Sequence, residues 1–166
     1  GIQRIYTDQP SALLAIQAKR VQDSTVECEG TYAMHLQGIC VDDDHIYWSF
    51  TTTLVKTDRA GRRIAQVAVA DHHGDLCLLG GKLYVAVNLG EFNNPAGQAD
   101  NWLYVYKADS LQQVARYSIP EVTYGAGGVG TKDGHLFVVG GLPSGIEENY
   151  VYEYDLGGRH LATHTL

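Results

Sequence analysis

The sequence predicts an all-β fold made of about three copies of one four-stranded antiparallel unit. The first observation is composition: 166 residues include 19 Gly and 11 Tyr, while only 19% are charged. That balance is typical of many short strands joined by tight turns rather than of long charged helices. The second observation is that the chain matches itself from His35, His72 and Gly125, at spacings near the roughly 40 to 50 residues that are typical of several repeat folds.

The repeats begin at three matched positions. HLQGICVDDDHIYWSF from His35 aligns with HHGDLCLLGGKLYVAV from His72, which places Cys40 on Cys77. The third copy is GAGGVGTKDGHLFVVG from Gly125. Ile46-Tyr47, Leu83-Tyr84 and Leu136-Phe137 then occupy one shared position on the second strand of each unit. This alignment predicts three structurally equivalent segments.

Each repeat contains the same four elements in order. An apolar strand is followed by a hairpin turn and a second strand rich in aromatic and β-branched residues. A third strand ends near an aspartate, at Asp58, Asp109 or Asp155, and a fourth apolar strand follows. Four antiparallel strands per repeat make one β-propeller blade, with approximate boundaries 35–70, 71–120 and 121–166.

One stretch carries a family resemblance. VDDDHIYWSFTTTLVKTDRAG, from Val41 to Gly61, resembles the blade pattern of six-bladed propellers of the YWTD, NHL and SMP-30/gluconolactonase kinds. The resemblance implies that this chain supplies half of a six-bladed ring. Similarity to the SMP-30/gluconolactonase group further implies a metal held by Glu and Asn at the channel, with an Asp base that hydrolyses a sugar lactone. Asp75 would then be the base, with Asn88 or Asn149 as ligands.

The first 34 residues follow a different pattern. ALLAIQAKRV after Ser11 predicts a short capped helix, while STVECEGTY alternates like a strand that could close another blade. Three blades leave two open ends, because propellers need about four to eight blades. Two hypotheses follow: a head-to-tail homodimer that completes the ring, with Val26 to Tyr32 pairing across the seam, or a longer propeller of which this chain is half.

The loop-rich face is the predicted binding surface. Long insertions follow the second strands of repeats two and three, at 88–102 and 141–150. Insertions confined to one face of a repeat protein usually build its binding site, and these contain side chains that hydrogen-bond and stack on small polar ligands. With the loops that enter each first strand, they give the following candidate ligand-binding residues: His35, Gln37, His72, Asn88, Glu91, Asn93, Asn94, Asp100, Trp102, Tyr124, Glu147 and Asn149.

The sharpest local motif is DHHGD, from Asp71 to Asp75. Two imidazoles and two carboxylates can supply metal ligands or an acid/base pair, and they can equally form a hydrogen-bonded structural loop. If the motif binds a metal, the predicted ligands of a divalent ion such as Ca²⁺ are Asp75, His73, His35 and Asn88. The catalytic reading makes Asp75 or His73 the base. GAGGVG, from Gly125 to Gly130, matches a nucleotide loop by letter but runs into a strand, so it predicts backbone crowding at the channel.

Charge and composition narrow the function classes. A net charge of −7 without a Lys/Arg cluster argues against nucleic-acid binding, and no apolar run reaches the roughly 20 residues that span a bilayer. Three widely spaced cysteines predict neither a disulfide framework nor a metal pair, and the start at Gly1 is compatible with removal of a secretion leader, so the compartment stays open. The leading hypothesis is a propeller that binds a small polar ligand or a protein. The alternatives are a metal-dependent hydrolase or lyase and a pure interaction module.

Overall fold

The computed structural model describes residues 25–166, which contain twelve β-strands and no helix. The strands are β1 (Leu36–Val41), β2 (His45–Phe50), β3 (Thr53–Asp58), β4 (Arg63–Ala68), β5 (His73–Leu79), β6 (Lys82–Asn88), β7 (Asn101–Lys107), β8 (Gln113–Ser118), β9 (Ala126–Lys132), β10 (His135–Gly140), β11 (Tyr150–Tyr154) and β12 (His160–Thr165). They form three four-stranded sheets, in each of which consecutive strands are antiparallel neighbours. The predicted all-β chain of three four-stranded antiparallel units is therefore confirmed for the described residues.

The hairpin turns between the first two strands of each sheet follow from local chemistry. The Asp42 carboxylate accepts the backbone N–H groups of Asp44 and His45 at 2.9 and 2.7 Å, which closes the first turn. Gly80 and Gly81 have φ angles of 57° and 72°, the left-handed conformation that a two-residue hairpin requires and that glycine adopts without steric cost. Asp42 is thus a turn residue.

The aspartates at the ends of third strands close the next turn. Asp58 Oδ1 accepts the N–H groups of Ala60 and Arg62 at 2.9 and 3.0 Å. Asp155 makes the corresponding contacts in the third sheet, both at 2.9 Å. Two repeats therefore use the same carboxylate-capped turn.

Two apolar cores lie between the sheets. The core between the first and second sheets includes Tyr47, Leu54, Leu83 and Tyr104. The core between the second and third sheets includes Tyr84, Leu103, Val105, Leu136 and Tyr152. Each sheet therefore packs face to face with its neighbour along the chain.

The first strands of the three sheets, β1, β5 and β9, lie side by side and are the innermost strands. β1 contacts β5, and β5 contacts β9. Because the first strands of all three sheets adjoin in chain order, the loops that enter them gather at one edge of the assembly. This is the arrangement that positions the candidate site.

The segment before β1 packs on the first sheet. The pairing of Val26 to Tyr32 that is expected across a seam between two chains stays a prediction, and within one chain residues 25–34 contain no strand. Instead, Val26, Cys28 and Tyr32 pack on the outer side of the first sheet, and Tyr32 stacks on Phe50 with ring centroids 4.3 Å apart. Apolar side chains on that sheet face are covered by this contact. The expected helix after Ser11 lies outside the described residues.

Candidate functional site

Each innermost strand carries an irregularity near its start, at the same place in the repeat. The extra residue falls at Gln37 in β1, within Gly74–Asp75 in β5 and at Gly127 in β9. A bulge of this kind bends the strand and redirects the neighbouring side chains. Three equivalent bends therefore adjoin where the innermost strands begin.

A pocket of about 280 Å³ lies at these bends. Its lining comes from all three repeats: His35, Gln37, His72, Gly74, Phe92, Ala126 and Gly127. The pocket wall thus combines two imidazoles, one carboxamide, one phenyl ring and the backbone of a buried and a half-buried glycine, with no carboxylate, ammonium or guanidinium group. Three of the candidate ligand-binding residues, His35, Gln37 and His72, are brought together here.

Phe92 reaches the pocket because the first insertion, residues 89–100, folds over the third repeat. The backbone N–H of Asn93 donates to the carbonyl oxygen of Tyr124 at 3.0 Å. The Phe92 ring lies against the glycine run, where a Cβ added to Gly125 would stand 2.3 Å from the ring. The glycines at this point therefore make room for an aromatic side chain from another repeat.

Asn88 holds the base of the insertion. Its side chain is only 2% exposed, and its Oδ1 accepts the N–H groups of Gly90 and Asp100 at 3.0 and 2.9 Å. The carboxamide is therefore occupied by backbone groups and does not line the pocket. The structure thus places this candidate ligand residue in a structural role.

The other polar residues of the first insertion mainly bind one another. Asn94 Nδ2 donates to the Glu91 carboxylate, and Asn94 Oδ1 accepts the Ala96 N–H at 2.8 Å. Trp102 Nε1 donates to Asp100 at 2.8 Å. The candidate residues Glu91, Asn93, Asn94, Asp100 and Trp102 do not line the pocket, and their contacts instead shape the loop that carries Phe92.

The second insertion, residues 141–149, contributes nothing to the pocket lining. Asn149 Oδ1 accepts the N–H of Tyr150 at 2.9 Å, and Glu147 is exposed. Tyr124 is half-buried and contacts the first insertion through its carbonyl oxygen. These three candidate residues therefore lie apart from His35, Gln37 and His72.

His73 is a core residue, which argues against its assigned roles as base and metal ligand. It is fully buried, and its Nδ1 lies 2.6 Å from the carbonyl oxygen of Ala70 while Nε2 lies 2.7 Å from the Tyr106 hydroxyl. Since a carbonyl oxygen can only accept, Nδ1 carries the proton and Nε2 accepts from Tyr106. Burial lowers the pKa of His73 to about 4, although the bond to Ala70 opposes that shift. Both ring nitrogens are thus committed to a neutral structural imidazole.

Asp75 is half-buried between the innermost strands. A Cβ added to Gly38 would stand 1.9 Å from Asp75 Oδ1, so the carboxyl group fills the space that this glycine leaves. Burial raises the pKa of Asp75, while backbone N–H groups of Leu76 and Val129 act in the opposite direction. Asp75 follows the pocket-lining Gly74 but does not itself line the pocket.

The expected metal-ligand set does not assemble. Within residues 25–166, no three His, Cys, Asp or Glu side chains converge in a way that could hold an ion. The physical reason is that His73 and Asn88 are already bonded inside the fold, while His35 lies exposed at the pocket. Burial raises the pKa of Cys40 and Cys77 to about 12, which favours the protonated thiol at both positions.

A larger groove of about 510 Å³ runs between the first and second sheets. Its lining includes residues 67–70 at the end of β4 and just beyond it, Tyr104 and Tyr106 on β7, and Arg116 on β8. None of the candidate site residues contributes to it.

In the described part of the chain, no helix has the length and apolar character needed to cross a membrane.

The candidate ligand-binding residues do not include four of the seven pocket residues, Gly74, Phe92, Ala126 and Gly127, although the GAGGVG run that contains Gly127 was expected at the channel. The glycines carry a usable signal, since Gly74 and Gly127 align with Gln37 in the three repeats. Phe92 carries none, because only the fold of the insertion brings its ring to the third repeat.

Comparison with known proteins supports the fold. No protein-family model matches the chain, and no curated protein matches it. Solved structures that resemble it include the crystal structure of the computationally designed Ika4 protein, with a TM-score of 0.57 and 11% identity. The match covers 87% of this chain and 80% of that chain. At this identity the likeness concerns the fold alone.

Proposed function

We propose that the chain is a run of three β-propeller blades of the six-bladed kind and that its loop-bearing face binds a small polar ligand. Support for the blade assignment comes from strands in chain order within every sheet and from innermost strands that adjoin. Support for the binding site comes from one observation above all. His35, Gln37 and His72, chosen as candidates from two separate repeats, lie around one pocket.

The lining favours a neutral ring compound with hydroxyl groups. Two imidazoles and a carboxamide can each donate and accept hydrogen bonds, while the Phe92 ring offers an apolar surface for stacking. A volume of about 280 Å³ lies at the lower limit of small-molecule sites. A monosaccharide or its lactone combines the required size, hydroxyl groups and partly apolar face.

Hydrolysis of a lactone is the second candidate function. The observation that favours it is the raised pKa of Asp75, caused by burial one residue beyond the pocket lining. A carboxyl group with a raised pKa is suited to general acid/base chemistry. The metal-dependent version has no converging ligand group among residues 25–166. Binding therefore remains the leading proposal.

Calorimetric titration with D-glucose and D-gluconolactone tests the proposed binding. We expect at least one of these probes to bind, and Phe92→Ala to weaken that binding about tenfold through loss of the stacking surface. Leu142→Ala is the matched control, because Leu142 lies in the other insertion, is 41% exposed against 48% for Phe92, and does not line the pocket. Equal losses in both variants, or no heat with either probe, would contradict the proposal.

A further inference from the structure

In each of the three sheets, one residue from each of the four strands forms a row of paired neighbours. These rows occupy equivalent positions in the three repeats. The first row is Cys40, Tyr47, Lys56 and Ala65, as the strand pairing aligns them across β1 to β4. The second row is Cys77, Tyr84, Val105 and Ala115. The third row is Gly130, Phe137, Glu153 and Ala162. The strand register therefore identifies which face of one sheet corresponds to which face of the other two.

In the first two sheets this face is covered by the next sheet. Tyr47 is 1% exposed and Tyr84 is 3% exposed, and they belong to the two cores between sheets. Lys56 extends across the first interface, where its Nζ donates to the carbonyl oxygen of Asp109 in the turn after β7, at 3.4 Å. The face thus functions twice within the chain as a docking surface for a neighbouring sheet.

The third copy of this face has no such neighbour among residues 25–166. Phe137 stays half-buried, and Val139 is 37% exposed, whereas its equivalent Ala86 is 0% exposed. A sheet face that is buried in two repeats and open in the third indicates a binding surface for a further sheet of the same kind.

Charge on this face points to the first sheet of a second copy. Glu153 holds the position of Lys56, and it binds His135 Nδ1 at 2.6 Å and His164 Nε2 at 2.8 Å. By the pattern of the internal interface, Glu153 would face the turn after the third strand of the next sheet. In the first sheet that turn, residues 58–62, contains Arg59 and Arg62 beside Asp58; Arg62 pairs with Asp58 at 2.6 Å and its side chain is still 78% exposed. A carboxylate would therefore meet a basic turn.

The outer face of the first sheet also offers apolar surface. Ile39 and Val41 on β1 are 52% and 51% exposed, and Ile64 on β4 is 54% exposed. Segment 25–34 covers the middle of this face through Val26, Cys28 and Tyr32, and it would form part of the contact.

We propose that the open face of the third sheet binds the outer face of the first sheet in a second copy of this chain. The contact extends the internal sheet-to-sheet packing across two molecules, and it goes beyond the proposed ligand binding. Two such contacts related by a two-fold axis would join six sheets in one assembly.

Sedimentation velocity on the full chain over a wide concentration range tests this proposal. We expect a particle of twice the 18.1 kDa chain mass. Val139→Glu should weaken association about a hundredfold or more, because it buries a charge without a partner. Val114→Glu is the control, since Val114 is 43% exposed on β8 outside this face, and far-UV circular dichroism verifies folding of both variants.

A charge exchange identifies the partner surface. Arg62→Glu and Glu153→Arg should each favour the monomer, and the double variant should restore the dimer. Arg159→Glu is the matched control, because Arg159 is 78% exposed like Arg62 and likewise pairs with an aspartate four residues before it.

Three results would overturn the proposal. The first is a monomer at every concentration, as expected if other residues of the same chain cover the face. The second is a dimer that Val139→Glu leaves intact. The third is a dimer sensitive to Val139→Glu but insensitive to Arg62→Glu, because third sheets would then pair with each other.

Discussion

At the scale of single residues, burial determines whether a histidine lines the pocket or is hydrogen-bonded inside the fold. His72 and His73 are neighbours in the sequence, yet His72 precedes β5 and His73 is the first residue of that strand. His72 lines the pocket, whereas His73 is buried against Tyr106. The DHHGD motif indicated a polar site, but the sequence alone does not show which of the two imidazoles is buried in the core.

His73 should make folding stability depend on pH. Its folded pKa of about 4 lies below the ordinary value of 6.5, so the unfolded chain binds more protons between these values. The stabilisation is fully present above about pH 6.5 and is lost as pH falls toward 4. From pH 7 to pH 5 the loss from this residue should be about 2 kcal/mol.

Urea unfolding at several pH values measures this effect. The His73→Gln variant removes the titrating group, so its free energy of unfolding should fall less between pH 7 and pH 5 than that of the natural chain. Parallel pH curves for the two proteins would show that His73 is not the responsible group.

At the scale of elements, the sequence predicted strands and turns well. The self-alignment identified equivalent first and second strands, because each repeat keeps its apolar positions and its turn residues. Val26 to Tyr32 alternates like a strand, and within one chain the side chains of Val26, Cys28 and Tyr32 pack on the first sheet without forming a strand. Alternation records which side chains are apolar, and a packed loop satisfies that pattern equally well.

The bulges were not predictable in the same way. The sequence shows Gln37, Gly74 and Gly127 in matched positions, but an extra residue in a strand is defined by its partner strand. The polar insertion residues were selected by residue type, and their side chains bind the loop itself. The sequence thus indicated three of the residues that line the pocket, while folding of the loop determined the others.

Gly74 should be the least replaceable residue of the inner strands. A Cβ at this position would stand 2.7 Å from the carbonyl oxygen of Gly127 and 2.9 Å from that of Ala86, and backbone atoms cannot rotate away. We expect Gly74→Ala to lower the free energy of unfolding by about 1–3 kcal/mol. Denaturant titration measures the loss.

Gly130→Ala is the control for that substitution. No heavy atom lies within 4 Å of a Cβ added at Gly130, so the free energy of unfolding should stay the same or rise slightly. Equal destabilisation by both substitutions would show that strand flexibility, rather than close contact between β5 and β9, explains why residue 74 is a glycine.

At the scale of the whole molecule, one arrangement accounts for the site. Packing of each sheet on the next aligns β1, β5 and β9, and alignment of their bulges creates a pocket to which every repeat contributes. No single repeat contains the lining by itself. The account therefore makes ligand binding a property of the three-sheet assembly.

The most direct measurement is NMR of the histidine side chains during titration with D-gluconolactone. The account predicts that the ring signals of His35 and His72, from two different repeats, shift together and saturate at the same ligand concentration. The signals of His45 and His135, which lie outside the pocket lining, should stay in place. Unchanged signals from His35 and His72, or equal shifts of all four rings, would contradict a shared site where the inner strands begin.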